Sequence, residues 1–159
     1  MPSSGDDYTE IAQLLHTYAD AVVHRNGVQW TSTWAPDAVW DLGGGRYVEG
    51  IDAIRELWYG AMGTFSATVQ TVLNGTVDVA DDGQSATGRW YIQEHILRAN
   101  GETGILLAHY DDAYTRVDGR WKFARRFLQP HYQGAQDLSA PFKCTAEALK
   151  ERGVDGVDV

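Results

Sequence analysis

Five histidines are present, and His95, in the context Glu94-His95-Ile96, is the strongest candidate for chemistry. An imidazole with an ordinary pKa of about 6.5 can take up and release protons near neutral pH without large perturbation. Asp112 on a neighbouring strand would hold its tautomer, and the hydroxyls of Tyr18 and Tyr110 would donate to a developing oxyanion. Such a set would perform acid/base chemistry at carbon. The other histidines suit plainer roles. His16 reads as solvated, His24 sits where a helix C-terminal dipole favours its cation, and His109 alternates with Tyr110 onto the opposite face. His131 follows Pro130 where the last strand leaves the sheet. No His-x-x-x-His, Glu-x-x-His or Cys-x-x-Cys spacing occurs, so no metal is expected. Gly43-Gly44-Gly45 lies between two strands rather than before a helix, which reads as a turn at a rim and not a phosphate loop.

The stretch from Ser85 to Tyr132 must position these groups. It reads as three long strands joined at Asn100-Gly101 and Asp118-Gly119, both type I′ hairpin signals. Upstream, residues 8–25 set Ile11, Leu14, Leu15, Tyr18, Val22 and Val23 on one helical face, closed by Asn26-Gly27. A short helix from Val28 to Trp34, a strand from Ala38 to Leu42, a return strand from Arg46 to Val48 and a helix through Met62 follow. A strand from Thr68 to Val79 then leads into the meander, and a short helix is expected at about Thr145 to Arg152. The order predicts an α+β fold: a cone-shaped, curved antiparallel sheet wrapped around three helices from the N-terminal half, with a central cavity. Residues 1–132 are expected to form this domain, and 133–159 a tail that could act as a lid.

With 159 residues, 43% hydrophobic and 22% charged, the chain is long enough for a real core. A net charge of −9 opposes nucleic-acid binding. No run of about 18 apolar residues suggests a membrane span, and the acidic stretch Met1–Asp7 is unlike a signal peptide. A single cysteine, Cys144, excludes an intramolecular disulfide and fits a cytoplasmic protein. Six Trp and eight Tyr exceed what an aliphatic core requires, which suits a cavity for a flat, partly apolar molecule.

Several strings occur in register: Tyr18-Ala19-Asp20-Ala21, Ala35-Pro36-Asp37-Ala38-Val39-Trp40-Asp41, Gly50 before a helix, and Val117-Asp118-Gly119-Arg120-Trp121-Lys122-Phe123. Together they resemble the SnoaL-like branch of the nuclear-transport-factor-2-like superfamily over roughly residues 8–132. The resemblance implies a cone-shaped α+β barrel, often dimeric through the outer face of its sheet, so a homodimer or higher homo-oligomer is expected. It also implies cofactor-free activities, among them dehydratases, dehydrochlorinases, polyketide cyclases and ketosteroid isomerase relatives. Dehydratases and dehydrochlorinases of this kind pair a His on the third strand with an Asp on the first helix. Here those places read Gln70 and Val22-Val23, so that pair does not carry over.

With alternation anchored on the family pattern, the inward residues are expected to be Trp40 and Leu42; Gln70, Val72 and Asn74; Tyr91, Gln93 and His95; Tyr110 and Asp112; and Arg126. Phe142 in the tail is expected to close the mouth. The resulting expectation is a cofactor-independent lyase, dehydratase, isomerase or cyclase acting on an aromatic or polycyclic hydrophobic molecule. His95, Tyr18, Tyr110 and Asp112 would be its catalytic residues. The alternative is a binding or accessory protein that keeps the cavity without chemistry.

Overall fold

The apolar stripe of the first helical segment becomes α1 (Ser4–His24), which buries Ile11, Leu15, Tyr18, Ala21 and Val22. The computed structural model describes residues 4–153; residues 1–3 and 154–159, which include parts of the acidic N-terminal stretch and of the expected tail, lie outside the described residues. Asp7 sits in the first turn and does more than complement the helix dipole. Its buried carboxylate accepts from Arg116 Nη2 at 2.5 Å and Trp121 Nε1 at 2.9 Å, tying the helix to the C-terminal hairpin. The end of the helix differs from the Asn26-Gly27 expectation. Arg25 takes the left-handed conformation (φ 55°), and its guanidinium donates to the carbonyls of Met62 and Phe65. Those two bonds offset the cost of positive φ in a non-glycine residue. Asn26 instead caps α2 (Gly27–Ser32), accepting from Gln29 N at 3.1 Å.

Strand β1 (Trp34–Gly43) begins at Trp34 rather than at Ala38. Trp34 pairs with Phe123, and Thr33 O accepts from Phe123 N, so the chain joins the sheet before Pro36. The proline falls in the irregular stretch between the Trp34 and Val39 pairings, where its missing N–H loses no ladder bond. The remaining elements are β2 (Arg46–Glu49), α3 (Ile51–Met62), β3 (Phe65–Val79), β4 (Ser85–Arg98), β5 (Thr103–Val117), β6 (Arg120–Gly134) and α4 (Ala146–Glu151). They make an α+β fold with one six-stranded sheet of order β2-β1-β6-β5-β4-β3. Each neighbouring pair is antiparallel except β1 with β6, which run parallel, a departure from the wholly antiparallel sheet expected.

Asp118 and Gly119 both have positive φ, as a type I′ turn needs. The other hairpin differs: only Gly101 is left-handed, and Asn100 uses its side chain to accept from Glu102 N. Bulges bend the long strands around α1. One lies between Val72 and Gly75, one opposes Ala113–Tyr114 at Ala124, and one opposes Leu107–Ala108 at His131.

Much of the interior is indole. Trp30 stacks on Trp58 with centroids 4.6 Å apart, and Trp34 and Trp40 lie 5.4 and 5.7 Å from Trp30. The end of the cone under α2 and α3 is therefore filled rather than hollow. Phe142 is half exposed and packs on Tyr132, whose hydroxyl donates to Ala135 O and accepts from Ala140 N. Those bonds hold the tail against the end of β6, and Phe142 is not among the residues that line the cavity at Trp40 and Leu128.

Candidate active site

Strand alternation decides which groups share the interior, and on β4 it runs opposite to expectation. Trp90, Ile92 and Ile96 are buried, which puts Glu94 on the inner face with them. Tyr91, Gln93 and His95 therefore point outward. His95 is exposed, and its imidazole meets Gln93 Nε2 at 3.0 Å on the solvent side. The physical reason is that three large apolar side chains outweigh the frame suggested by the family pattern; a one-residue shift flips the whole strand. Asn74 is likewise exposed, because the Val72–Gly75 bulge turns Leu73 and Asn74 to solvent. That bulge has its own cause: a Cβ on Gly75 would lie 2.3 Å from the Trp90 ring, so the backbone there must be bare to seat the indole.

Most other inward placements are found, with Leu128 in addition, and Leu42 is half-buried at the cavity wall. Gln70 and Val72 on β3, Tyr110 and Asp112 on β5, Arg126 and Leu128 on β6, Trp40 on β1 and Tyr18 on α1 share the interior. Arg126 and Asp112, both fully buried, form a two-point ion pair, Nε–Oδ1 2.8 Å and Nη2–Oδ2 3.0 Å. Tyr114 adds a hydrogen bond to Asp112 Oδ2 at 2.9 Å. Three rings enclose the guanidinium: Tyr110 at 3.5 Å, Phe123 at 4.0 Å and Tyr18 at 4.3 Å from their centroids. Arg126 Nη1 has no partner among the described residues. Burial pushes the carboxyl of Asp112 up, and the Arg126 charge works against that.

Beside this pair lies a second polar group. Gln70 Nε2 donates to Glu94 Oε2 at 2.8 Å and to the Tyr110 hydroxyl at 3.4 Å, and Gln70 Oε1 is buried without a partner among the described residues. Gln70 and Glu94 are register partners across β3 and β4, so the sheet itself sets their contact. Desolvation raises the Glu94 carboxyl above its ordinary range, and the Gln70 hydrogen bond only partly opposes this. Burial also raises Tyr18 and Tyr110, so both hydroxyls stay protonated donors near neutral pH. The arrangement offers one carboxyl poised to exchange protons and two phenols able to stabilise an oxyanion.

A cavity of about 490 Å³ opens between β1 and β6, with Trp40, Leu42, Tyr110, Leu128 and Pro130 among its walls; of the polar group, Tyr110 lines it and Gln70 and Glu94 do not. Among the described residues, no three His, Cys, Asp or Glu side chains are placed to share a metal ion. Sequence reasoning missed Glu94 as an interior group. The signal was present in Trp90-x-Ile92-x-Glu94-x-Ile96, a clean apolar alternation with one acid in frame.

The outer face of the same strands holds a different cluster. His109 Nδ1 and His131 Nε2 are 2.7 Å apart, His109 Nε2 meets Asp111 Oδ2 at 3.2 Å, and Arg89 pairs with Asp111 at 2.7 Å. Tyr91 leans on both imidazoles.

A curved sheet wrapped over a long helix, with a partly polar interior reached from one end, defines the cone-shaped α+β class. The SnoaL-like domain model matches residues 4–127, and the chain belongs to that family. Among solved structures it is similar to a type 2 hexachlorocyclohexane dehydrochlorinase (LinA), at 20% identity and TM-score 0.75, covering 86% of this chain and 94% of that one. It is also similar to an NTF2-like superfamily protein from Salmonella enterica serovar Typhimurium, at 15% identity and TM-score 0.72, covering 80% and 93%. A third is Aln2 from a Streptomyces species, at 22% identity and TM-score 0.70, covering 82% and 94%. At these identities the likeness speaks for the fold. No curated protein matches the sequence.

Proposed function

We propose that the protein is a cofactor-independent acid/base enzyme, of the lyase, dehydratase, isomerase or cyclase kind, acting on a flat hydrophobic small molecule. The observation that carries this reading is Glu94, a partly buried carboxyl on the inner face with a raised pKa that shares Gln70 with the Tyr110 phenol. A carboxyl tuned upward is a better proton acceptor from carbon than an ordinary one and can return the proton later in the cycle. Glu94 takes the role first expected of His95, which faces solvent. Tyr110 and Tyr18 would supply hydrogen bonds to oxygen as charge develops there. Asp112 is spent on Arg126 and Tyr114 and serves to fix the interior rather than to move protons. Trp40, Leu42 and Leu128 would flank the ring system at the mouth. That relatives in this fold include a dehydrochlorinase supports a reaction in which a proton leaves carbon.

The competing reading is a binding protein without chemistry. It is favoured by Gln70 in place of a basic side chain, by the apolar Val22 on α1 and by the indoles that fill one end of the cone. Thermal-shift screening of aromatic and polycyclic compounds, followed by mass spectrometry of incubated hits, separates the two. Conversion that disappears in Glu94→Gln supports the enzyme, whereas ligands that bind and stay unchanged in mass and isomer composition support the binding protein.

A further inference from the structure

We propose that Arg46 makes the cavity between β1 and β6 selective for flat molecules that carry a carboxylate, so that the substrate class is aromatic acids. The inference rests on the reading of this cavity as the substrate site and does not depend on which group moves the proton. Among the described residues that line the cavity, Asp41 and Arg46 alone are charged. Asp41 is already answered. Its Oδ2 accepts from Arg125 Nη2 at 2.6 Å and its Oδ1 from Gly43 N at 2.8 Å, and these bonds, Arg125 first, hold the carboxyl below its ordinary range. Arg46 is not. Its guanidinium meets neutral carbonyls, Nε donating to Gly43 O at 3.3 Å and Nη2 to Leu42 O at 3.2 Å, and no carboxylate pairs with it among the described residues. Those bonds hold the group on the rim and use two of its five N–H donors, which leaves three for a ligand. The turn that brings it there is Gly43-Gly44-Gly45, all at positive φ, with Arg46 paired to Gly43 across the hairpin. The walls below are apolar, from Trp40, Leu42, Phe127, Leu128 and Pro130, and the volume of about 490 Å³ suits a fused ring system. A ligand with its rings between these walls and its polar end at the mouth presents that end to Arg46. Because Arg46 is exposed, the carboxylate keeps part of its water, avoids the cost of full burial and still gains charge-assisted hydrogen bonds. A neutral amide gains only ordinary hydrogen bonds there, and an ammonium is repelled. The net charge of −9 repels anions at long range, so an acid that binds here must be recognised locally.

The test is isothermal titration calorimetry of 2-naphthoate, 2-naphthamide and 2-naphthylmethylammonium at neutral pH, with the wild-type protein, Arg46→Lys, Arg46→Gln and Arg46→Glu. Circular dichroism checks that the variants are folded. At low salt the wild type is expected to bind the naphthoate about fivefold more tightly than the amide, the upper range for a solvent-exposed charge pair. That preference is expected to disappear in about 1 M salt, where charges are screened within a few ångströms. Arg46→Lys is expected to keep part of it, Arg46→Gln to level acid and amide, and Arg46→Glu to place the ammonium first. Equal affinities of acid and amide in the wild type, or a preference that survives in Arg46→Gln, would overturn the proposal, as would failure of all three to bind. If Arg46→Gln does not fold, Arg46→Glu and the salt series decide. An acid preference, with turnover of a substrate from the ligand screen unaffected in Glu94→Gln, sinks the acid/base reading and leaves this one standing. Lost turnover in Glu94→Gln without an acid preference does the reverse.

Discussion

The sheet from β3 to β6 carries a polar cluster on each face, and the two behave differently. On the inner face lie Glu94, Gln70, Tyr110, Asp112 and Arg126, the last enclosed by three rings, and burial is the first cause of the pKa displacements of Glu94, Tyr110 and Asp112. On the outer face Arg89, Asp111, His109 and His131 form a comparable chain of contacts, but Arg89 and Asp111 stay about half exposed. The residue types would suggest the reverse, since the imidazoles look like the chemistry and the inner pair looks like a salt bridge. Solvent decides otherwise: a charge that water can reach is screened, and one enclosed by rings is not. The same alternation that seats Asp112 inside sends Asp111 outside, one residue away.

The sharpest way to break this comparison is to delete one carboxylate from each face. Asp112→Ala strands Arg126 in a ring-lined interior with its charge unpaired, and unfolding in urea is expected to show a loss of about 3–5 kcal/mol. Asp111→Ala removes a partner of Arg89 and His109 that solvent can replace, and about 1 kcal/mol or less is expected. Equal losses would mean that the inner face is wetter than its burial indicates. Replacing Asp112, Arg126 and Tyr114 together by apolar residues of similar volume should recover most of the stability, because the ion pair carries its own desolvation cost.

The second contrast concerns activity. With a substrate found by the ligand screen, Glu94→Gln is expected to lower turnover roughly a hundredfold or more, the usual worth of a positioned acid/base group. His95→Ala is expected to leave kcat and KM unchanged, since its side chain meets Gln93 and solvent on the outer face. A large effect at His95 with none at Glu94 would reverse the assignment of faces to chemistry.

How far the sequence revealed this arrangement depended on how firmly each strand was anchored. The helical stripe of α1, the Asp118-Gly119 turn and the Tyr110/Asp112 frame were legible because apolar period and turn chemistry agree there. Arg126 was placed by alternation alone, and the bulge at Ala124 leaves it inward. On β4 a frame taken from family likeness put His95 inside, while Trp90, Ile92 and Ile96 demanded the other. The acid between them was hidden by its neighbour, because Glu94-His95 reads as a histidine motif until the apolar period is counted. Two features were out of reach. The Val72–Gly75 bulge answers the bulk of an indole on the next strand, and the tail is held by a Tyr132 hydroxyl whose partners lie beyond the strand's end. Both are set by contacts between elements, which periodicity within one element does not report.

The smallest expected effect comes from pH, and it also separates the faces. Desolvation holds Glu94 above its ordinary pKa, so the folded protein binds that proton more tightly than the unfolded chain. The stability this provides is complete below the unfolded value of about 4.3 and is lost as pH rises through the folded one. Burial holds His109 and His131 below their ordinary value, with Asp111 opposing the shift at His109 and the Arg89 and Arg152 charges adding to it at His131. Below about pH 6.5 the unfolded chain takes up protons that this pair refuses, so stability falls as pH falls toward their folded values. The hydrogen bond between the two rings gives the same sign, because it needs one nitrogen without a proton. Melting temperature measured from pH 4.5 to 8 should therefore shift with both groups in opposite senses. Subtracting the Glu94→Gln curve is expected to remove a loss that grows toward alkaline pH, and subtracting the His109→Phe curve one that grows toward acid pH. Differences of a few degrees suffice, since about 1 kcal/mol moves a domain of this size by about 2–4 °C. If both differences slope the same way, the two faces do not titrate in opposite senses.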